Sequence, residues 1–162
     1  LLLYLTRHAD AEQKKPGMSD FERELTDIGR KNTEKMAIIL KRMNLKFDLI
    51  VSSPLVRAVQ TAKIFHDVMG VQSEIITTNE LIPGSDFKSL LNILFSFGVG
   101  NLLAVGHEPH LGEFLSWLVG LPKPVEFKKN SIACIEILMP VEAGGNLKWL
   151  IHPDMFSWFE TI

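Results

Sequence analysis

Leu1-Leu2-Leu3-Tyr4-Leu5 is an apolar run that ends abruptly in Thr6-Arg7-His8. A short continuous apolar run fits a strand buried on both faces, as found in parallel sheets covered by helices. Ligands of such sheets sit at the carboxyl ends of the strands. Arg7 and His8 fall there: a permanent cation suited to phosphate or carboxylate, beside a ring nitrogen able to attack or to carry protons. A strand must also end in something polar, and Arg-His would serve that purpose alone. The remainder of the chain decides between these readings.

Two further apolar runs end in the same way. Phe47-Asp48-Leu49-Ile50-Val51 leads into Ser52-Ser53-Pro54-Leu55-Val56-Arg57, which reads as a strand-to-helix turn with Ser53 as N-cap and Pro54 in the first helical position. That helix is expected to run to Met69 and stop at Gly70. Arg57 then sits in its first turn, near free backbone N–H groups of the kind that bind phosphate. Asn101-Leu102-Leu103-Ala104-Val105 ends in Gly106-His107-Glu108-Pro109, with the proline opening a helix to about Val119.

Between these runs, Ala11 to Arg23 is polar, contains Pro16-Gly17 and has no apolar period. It reads as a long loop, and long loops beside a strand's carboxyl end are often functional. Thr26 is the expected cap of a helix reaching Met43, with Ile28, Met36, Ile39, Leu40 and Met43 near helical spacing. A short strand around Glu74-Ile75-Ile76, a loop from Asn79 to Asp86 and a helix from Asp86 to Phe97 follow. Ser131 to Leu138 and Asn146 to His152 read as a hairpin around Ala143-Gly144-Gly145. Strand and helix alternate, with an antiparallel addition near the end. The expected fold is α/β: a three-layer α/β/α sandwich on a mostly parallel central sheet.

At 162 residues the length prior gives one domain, residues 1–162, large enough to bury a proper core. A net charge of -2 argues against a general nucleic-acid binder, so any positive potential must be local. The single cysteine, Cys134, leaves no internal disulfide and no cysteine-based zinc site, and a buried inert thiol is expected. The opening apolar run is too short for a signal peptide or a membrane span, which makes a cytoplasmic protein the default, with no membrane partner.

Three strand ends thus carry Arg7-His8, Arg57 and His107. A parallel sheet places such ends at one edge, and two arginines with two histidines there fit a phosphoryl-binding site. The residues carrying it also match a known family. Leu5-Thr6-Arg7-His8-Ala9-Asp10 resembles the "RHG" signature of the histidine phosphatase superfamily, whose fold is named after phosphoglycerate mutase. Val51 to Ala62 resembles its second motif, a Ser-Pro turn followed by Arg-Ala-x-Gln-Thr, and Val105-Gly106-His107-Glu108-Pro109 resembles its third. The small size, the loop Glu80 to Asp86 and the segment Asn130-Ser131-Ile132-Ala133 point to the short SixA-type branch, the phosphohistidine phosphatases. Ala9 departs from the pattern by replacing the signature glycine; alanine would be strained only if the position needed φ > 0, and the expectation is that it tolerates a small residue without loss of activity.

The resemblance implies that His8 is the nucleophile and carries the phosphoryl group covalently, that Arg7 and Arg57 grip its oxygens, and that His107 stabilises it in transfer. It implies no metal and no cofactor. Glu80 is the positional candidate for a general acid and equally reads as a loop charge. Arg23 either reaches the phosphate from the long loop or is a solvated surface arginine. His66 lies too far along its helix to join the site; His110 reads as a surface position near the pocket, and His152 as structural. Trp117, Trp149 and Trp158 read as core or partial-core residues. The implied partner is a phosphorylated protein, with a small phosphorylated substrate or a mutase reaction as the alternative. An inert phosphate-binding module and a metal site built from His8, Asp10 and His107 are further readings; two arginines would repel the ion in the latter.

Overall fold

The computed structural model describes residues 1–156, so Trp158 lies outside the described residues. Among the described residues, six strands and four α-helices follow one another, alternating as far as α4: β1 (Leu2–Arg7), α1 (Asp27–Arg42), β2 (Leu49–Ser52), α2 (Val56–Met69), β3 (Ile76–Thr77), α3 (Phe87–Ser96), β4 (Asn101–Gly106), α4 (His110–Val119), β5 (Ile132–Ile137) and β6 (Gly145–Ile151). The sheet order is β3-β2-β4-β1-β5-β6. β1, β2, β3 and β4 pair in parallel, while β5 runs antiparallel to both β1 and β6. This is the mostly parallel α/β sandwich expected, with the hairpin forming one side.

The apolar runs are continuous because both faces of the sheet are covered. Alternate residues point opposite ways along a strand. Leu3, Leu5, Leu49, Val51, Leu102 and Ala104 pack with Leu90, Leu91 and Leu94 of α3 and Leu111, Phe114 and Leu118 of α4. Tyr4, Ile50, Leu103 and Val105 face the other way, onto Met36, Ala37 and Leu40 of α1 and Ala58, Ala62 and Phe65 of α2. Truncating one such leucine to alanine costs about 2–5 kcal/mol. Cys134 is buried in this second core, and burial raises its thiol pKa, in keeping with an inert role.

The helix ends largely follow the residues expected to set them. Thr26 caps α1 by accepting the Gly29 N–H at 3.0 Å, and Gly70 ends α2 with φ of 70°. Two expectations are corrected. Ile28 and Met43 are exposed, at 67% and 45%, whereas Gly29, Thr33, Met36, Ala37 and Leu40 form the buried face of α1. The reason is close approach: a Cβ on Gly29 would stand 2.2 Å from the main-chain oxygen of Asp10, so only a residue without one lets the helix pack there. Ser53 does not cap α2. The helix begins at Val56 with Leu55 in the cap position and no side-chain cap bond.

Trp117 stacks on Phe114 at 6.1 Å between centroids, and Trp149 sits 5.9 Å from Tyr4, both partly buried. Among the described residues, no helix is long and apolar enough to cross a membrane.

Candidate active site

The register of the central strands brings the three turns together. β4 lies between β2 and β1, with Arg7 opposite Gly106 and Ser52 opposite Val105. The chain continues this pairing past the strand ends: His8 N–H donates to Gly106 O at 3.0 Å and Ser53 N–H to Val105 O at 2.9 Å. His8, Ser53 and His107 are thereby carried on adjoining backbone.

The His8 ring is held from both sides. Its Nδ1 is 2.7 Å from the main-chain oxygen of Ala9, an acceptor, and Arg57 Nε–H donates to its Nε2 at 3.2 Å. An acceptor on one nitrogen and a donor on the other select the tautomer with the proton on Nδ1 and the lone pair on Nε2. Burial pushes the His8 pKa down to about 4, assisted by the nearby charges of Arg57, Arg7 and Arg23 against the opposing bond to Ala9. The ring is therefore neutral near pH 7.

His107 lies with its ring centroid 5.0 Å from that of His8 and its Nε2 2.7 Å from Ser53 Oγ. Burial, then His8 and Arg57, push its pKa down to about 3. Arg7 Nη1 donates to Phe127 O at 2.9 Å, which fixes the guanidinium against the loop before β5. Among the described residues, the buried side-chain nitrogens without a hydrogen-bond partner are Arg7 Nε and His107 Nδ1. Buried polar groups rarely go unpaired without a reason, and both belong to this one cluster.

Arg57 is buried although it is a cation, and its remaining nitrogens both go to Asp20 in the long loop: Nη1 to the main-chain oxygen at 2.8 Å and Nη2 to the carboxylate at 3.0 Å. Arg23 Nη1 reaches the other oxygen of the same carboxylate at 2.9 Å, while its Nε donates to Glu12 O at 2.7 Å. Arg23 is thus tied into the cluster. Glu80 presents its carboxylate to the Thr78 hydroxyl, and that bond holds its pKa below the usual range. A general acid needs the opposite shift.

The other histidines separate cleanly. His110 is buried at 1% exposure, not a surface position; its Nε2 is 3.2 Å from Glu80 O and its ring 5.2 Å from Phe87. His66 sits between Asp67 and Ser73, and His152 pairs with Ser131 at 2.8 Å. Asp10 is turned to Thr26 at 2.8 Å and Lys129 at 2.5 Å. Among the described residues, no group of three or more His, Cys, Asp or Glu is placed to hold a metal ion.

Ala9 is buried with no positive φ, so alanine carries no strain there. Its N–H donates to Thr61 Oγ1 at 3.1 Å, and Thr61 in turn donates to Arg57 O at 2.8 Å. Gln60 accepts the Leu25 N–H at 2.8 Å and donates to Glu24 at 3.0 Å, pinning the end of the long loop to α2. These explain the Gln-Thr of the second motif. Asp20 and Ser53 are the site neighbours that sequence reading missed. The i, i+3 spacing of Asp20 and Arg23 was the available signal for the first; nothing local marked Ser53 as a partner of His107.

Residues 3–82 match the profile of the histidine phosphatase superfamily (branch 1). The chain is 27% identical over 154 residues to the phosphohistidine phosphatase SixA of Escherichia coli (strain K12), covering 93% of each. A solved structure of the protein histidine phosphatase SixA complexed with tungstate superposes with a TM-score of 0.85 at 28% identity, covering 96% of this chain and 99% of that one. The native structure of a mycobacterial glucosyl-3-phosphoglycerate phosphatase shares the fold alone, with a TM-score of 0.69, 16% identity and coverage of 91% and 96%. The motifs, the sheet order and these likenesses agree: the chain belongs to the histidine phosphatase superfamily, on its SixA-type branch.

Proposed function

We propose that the protein is a phosphatase in which His8 takes the phosphoryl group on Nε2, and that its substrate is phosphohistidine on another protein. One observation carries the first part: the His8 ring is held neutral, with its lone pair on Nε2 among two arginines and a second histidine. Nε2 attacks phosphorus, the new N–P bond forms as the bond to the leaving nitrogen breaks, and the substrate ring, protonated by solvent on its other nitrogen, departs as neutral imidazole; water then cleaves phospho-His8 to release inorganic phosphate. Arg57 turns from the lone pair to the phosphoryl oxygens, and Arg7 supplies the unpaired Nε–H. With Ser53 Oγ accepting the Leu55 N–H at 3.3 Å and its own proton turned to His107 Nε2, the His107 tautomer that fits carries its proton on the otherwise unpaired Nδ1, the donor to the transferring group.

Two things support phosphohistidine as the substrate. The relative that the chain matches over 93% of its length is named a phosphohistidine phosphatase. The chemistry also suits an undemanding leaving group. Imidazole, with a reference pKa of about 6.5, departs without the strong acid that an alkoxide requires. Glu80 is held ionised, and Glu108, whose pKa burial raises, spends its carboxylate on the backbone N–H groups of Phe127 and Gly112. The test is a panel of phosphohistidine proteins, phosphoserine and phosphotyrosine peptides and sugar phosphates, read with wild-type and His8→Ala protein. Phosphohistidine should be hydrolysed fastest, and only by the wild type. Equal rates for the two proteins would remove His8 as nucleophile, and a sugar phosphate leading the panel would replace the substrate.

A further inference from the structure

The long loop after β1 reaches into the cluster itself. Asp20 begins a short 3-10 turn, Asp20–Glu22, and meets the guanidinium that touches His8. With Nε on His8, Nη1 on the Asp20 main-chain oxygen and Nη2 on its carboxylate, every nitrogen of Arg57 is engaged. The second carboxylate oxygen takes Arg23. The Asp20 side chain is 54% exposed and that of Arg57 only 8%, so the anion stands on the solvent side of the cation it covers.

A carboxylate and a phosphoryl group make the same demand on an arginine: paired acceptor oxygens in the plane of the fork. Two such anions on one fork repel each other at contact distance. The turn bearing Asp20 is lightly held, for none of its residues is buried and Phe21 is 48% exposed, so moving it sacrifices little apolar contact. By contrast Arg57 is rooted in the first turn of α2 with its side chain buried, so its guanidinium has room only for a short turn within the cluster. When a phosphoryl group enters, the loop is the element that gives way.

We infer that Asp20 is a built-in stand-in for the phosphoryl group: it occupies Arg57 and Arg23 in the empty site, keeps them aligned, and is displaced by a phosphorylated substrate. The inference rests on the reading that Arg57 grips the phosphoryl oxygens. Its consequence is selectivity by charge, because an incoming ligand must outcompete a tethered carboxylate. A dianionic phosphoryl group does so more readily than a carboxylate-bearing or singly charged ligand.

Inorganic phosphate is the probe, titrated into the protein and followed by amide NMR shifts to give Kd. Asp20→Asn removes the charge at constant shape and should tighten phosphate about three- to tenfold, the worth of a charge-assisted hydrogen bond released from competition. Asp20→Ala should tighten it at least as much. An unchanged or weaker Kd in both would overturn the inference, and weakening would make Asp20 a positioning residue for the two arginines. In the wild type, phosphate should also move the amide resonances of Asp20 to Arg23; movement confined to the strand ends would exclude displacement. Arg57→Ala separates the underlying reading: it should weaken phosphate, and if it does not, the phosphoryl site itself is misassigned.

Discussion

Arg57 donates its Nε–H to the Nε2 of His8 across 3.2 Å, from the first turn of α2 to the turn after β1. The bond puts a fixed cation on the very lone pair proposed to attack phosphorus. It both orients the ring and opposes its protonation. An arginine can do this and still present two further nitrogens in a plane.

Arg57→Lys should therefore be far from conservative. Lysine keeps the charge but offers a single ammonium, which cannot orient the His8 lone pair and then turn a planar pair of N–H donors to the phosphoryl oxygens. The expected loss in kcat/KM is about 100-fold, in the range seen when one transition-state donor is removed. Steady-state kinetics on p-nitrophenyl phosphate measures it, and a loss below fivefold would contradict the shared role of the guanidinium.

The histidines set the acid limb of stability. His8 is depressed from 6.5 to about 4 and His107 to about 3, so between these values and 6.5 the unfolded chain binds protons that the folded chain refuses. Stability thus falls as pH drops from about 6.5 toward 4, with His8 alone contributing on the order of 3 kcal/mol across that window. Denaturant unfolding at pH 7 and pH 4.5 should show the decline, and His8→Asn should flatten part of it. The acid limb of kcat/KM should likewise fall near 4, well below the ordinary histidine range.

Glu80→Gln tests the acid role directly. The Glu80 carboxylate bonds to the Thr78 hydroxyl and has a lowered pKa, so it is the wrong form to donate a proton. Turnover of a phosphohistidine substrate should change by less than about twofold. A drop of 100-fold with an unchanged fold would restore Glu80 as the general acid.

Gly29→Ala reverses the usual helix ranking. Alanine in place of glycine ordinarily stabilises a helix by about 1 kcal/mol. At Gly29 the added Cβ would meet Asp10 O at 2.2 Å, a backbone atom that cannot rotate aside. A net loss of about 2–3 kcal/mol is expected, measured as a fall in denaturant midpoint. Because Asp10 follows the His8 turn directly, activity should fall as well.

The legible parts of this protein were local. Apolar runs such as Leu1 to Leu5 announced strands buried on both faces, because burial leaves no position for a polar residue. Thr26 and Gly70 marked helix ends through their own hydrogen-bonding and backbone preferences. Arg7, His8 and His107 could be picked out because they stand at strand ends, and Arg57 because it opens the helix after one, where a parallel sheet collects its ligands. Ile28 and Ser53 misled for one physical reason: a side chain's face or partner depends on how closely another segment approaches. The main-chain oxygen of Asp10 at Gly29 put Ile28 outside, and His107 at 2.7 Å holds the hydroxyl that looked like a helix cap. His110 went inward because Phe87 and Glu80, distant in sequence, cover it. Residue chemistry, spacing along the chain and the family resemblance singled out Arg7, His8, Arg57 and His107 as candidates, and the fold brings their side chains into one cluster. The tautomer of His8, and the carboxylate of Asp20 lying across both arginines, depend on contacts between segments that only the folded chain brings together.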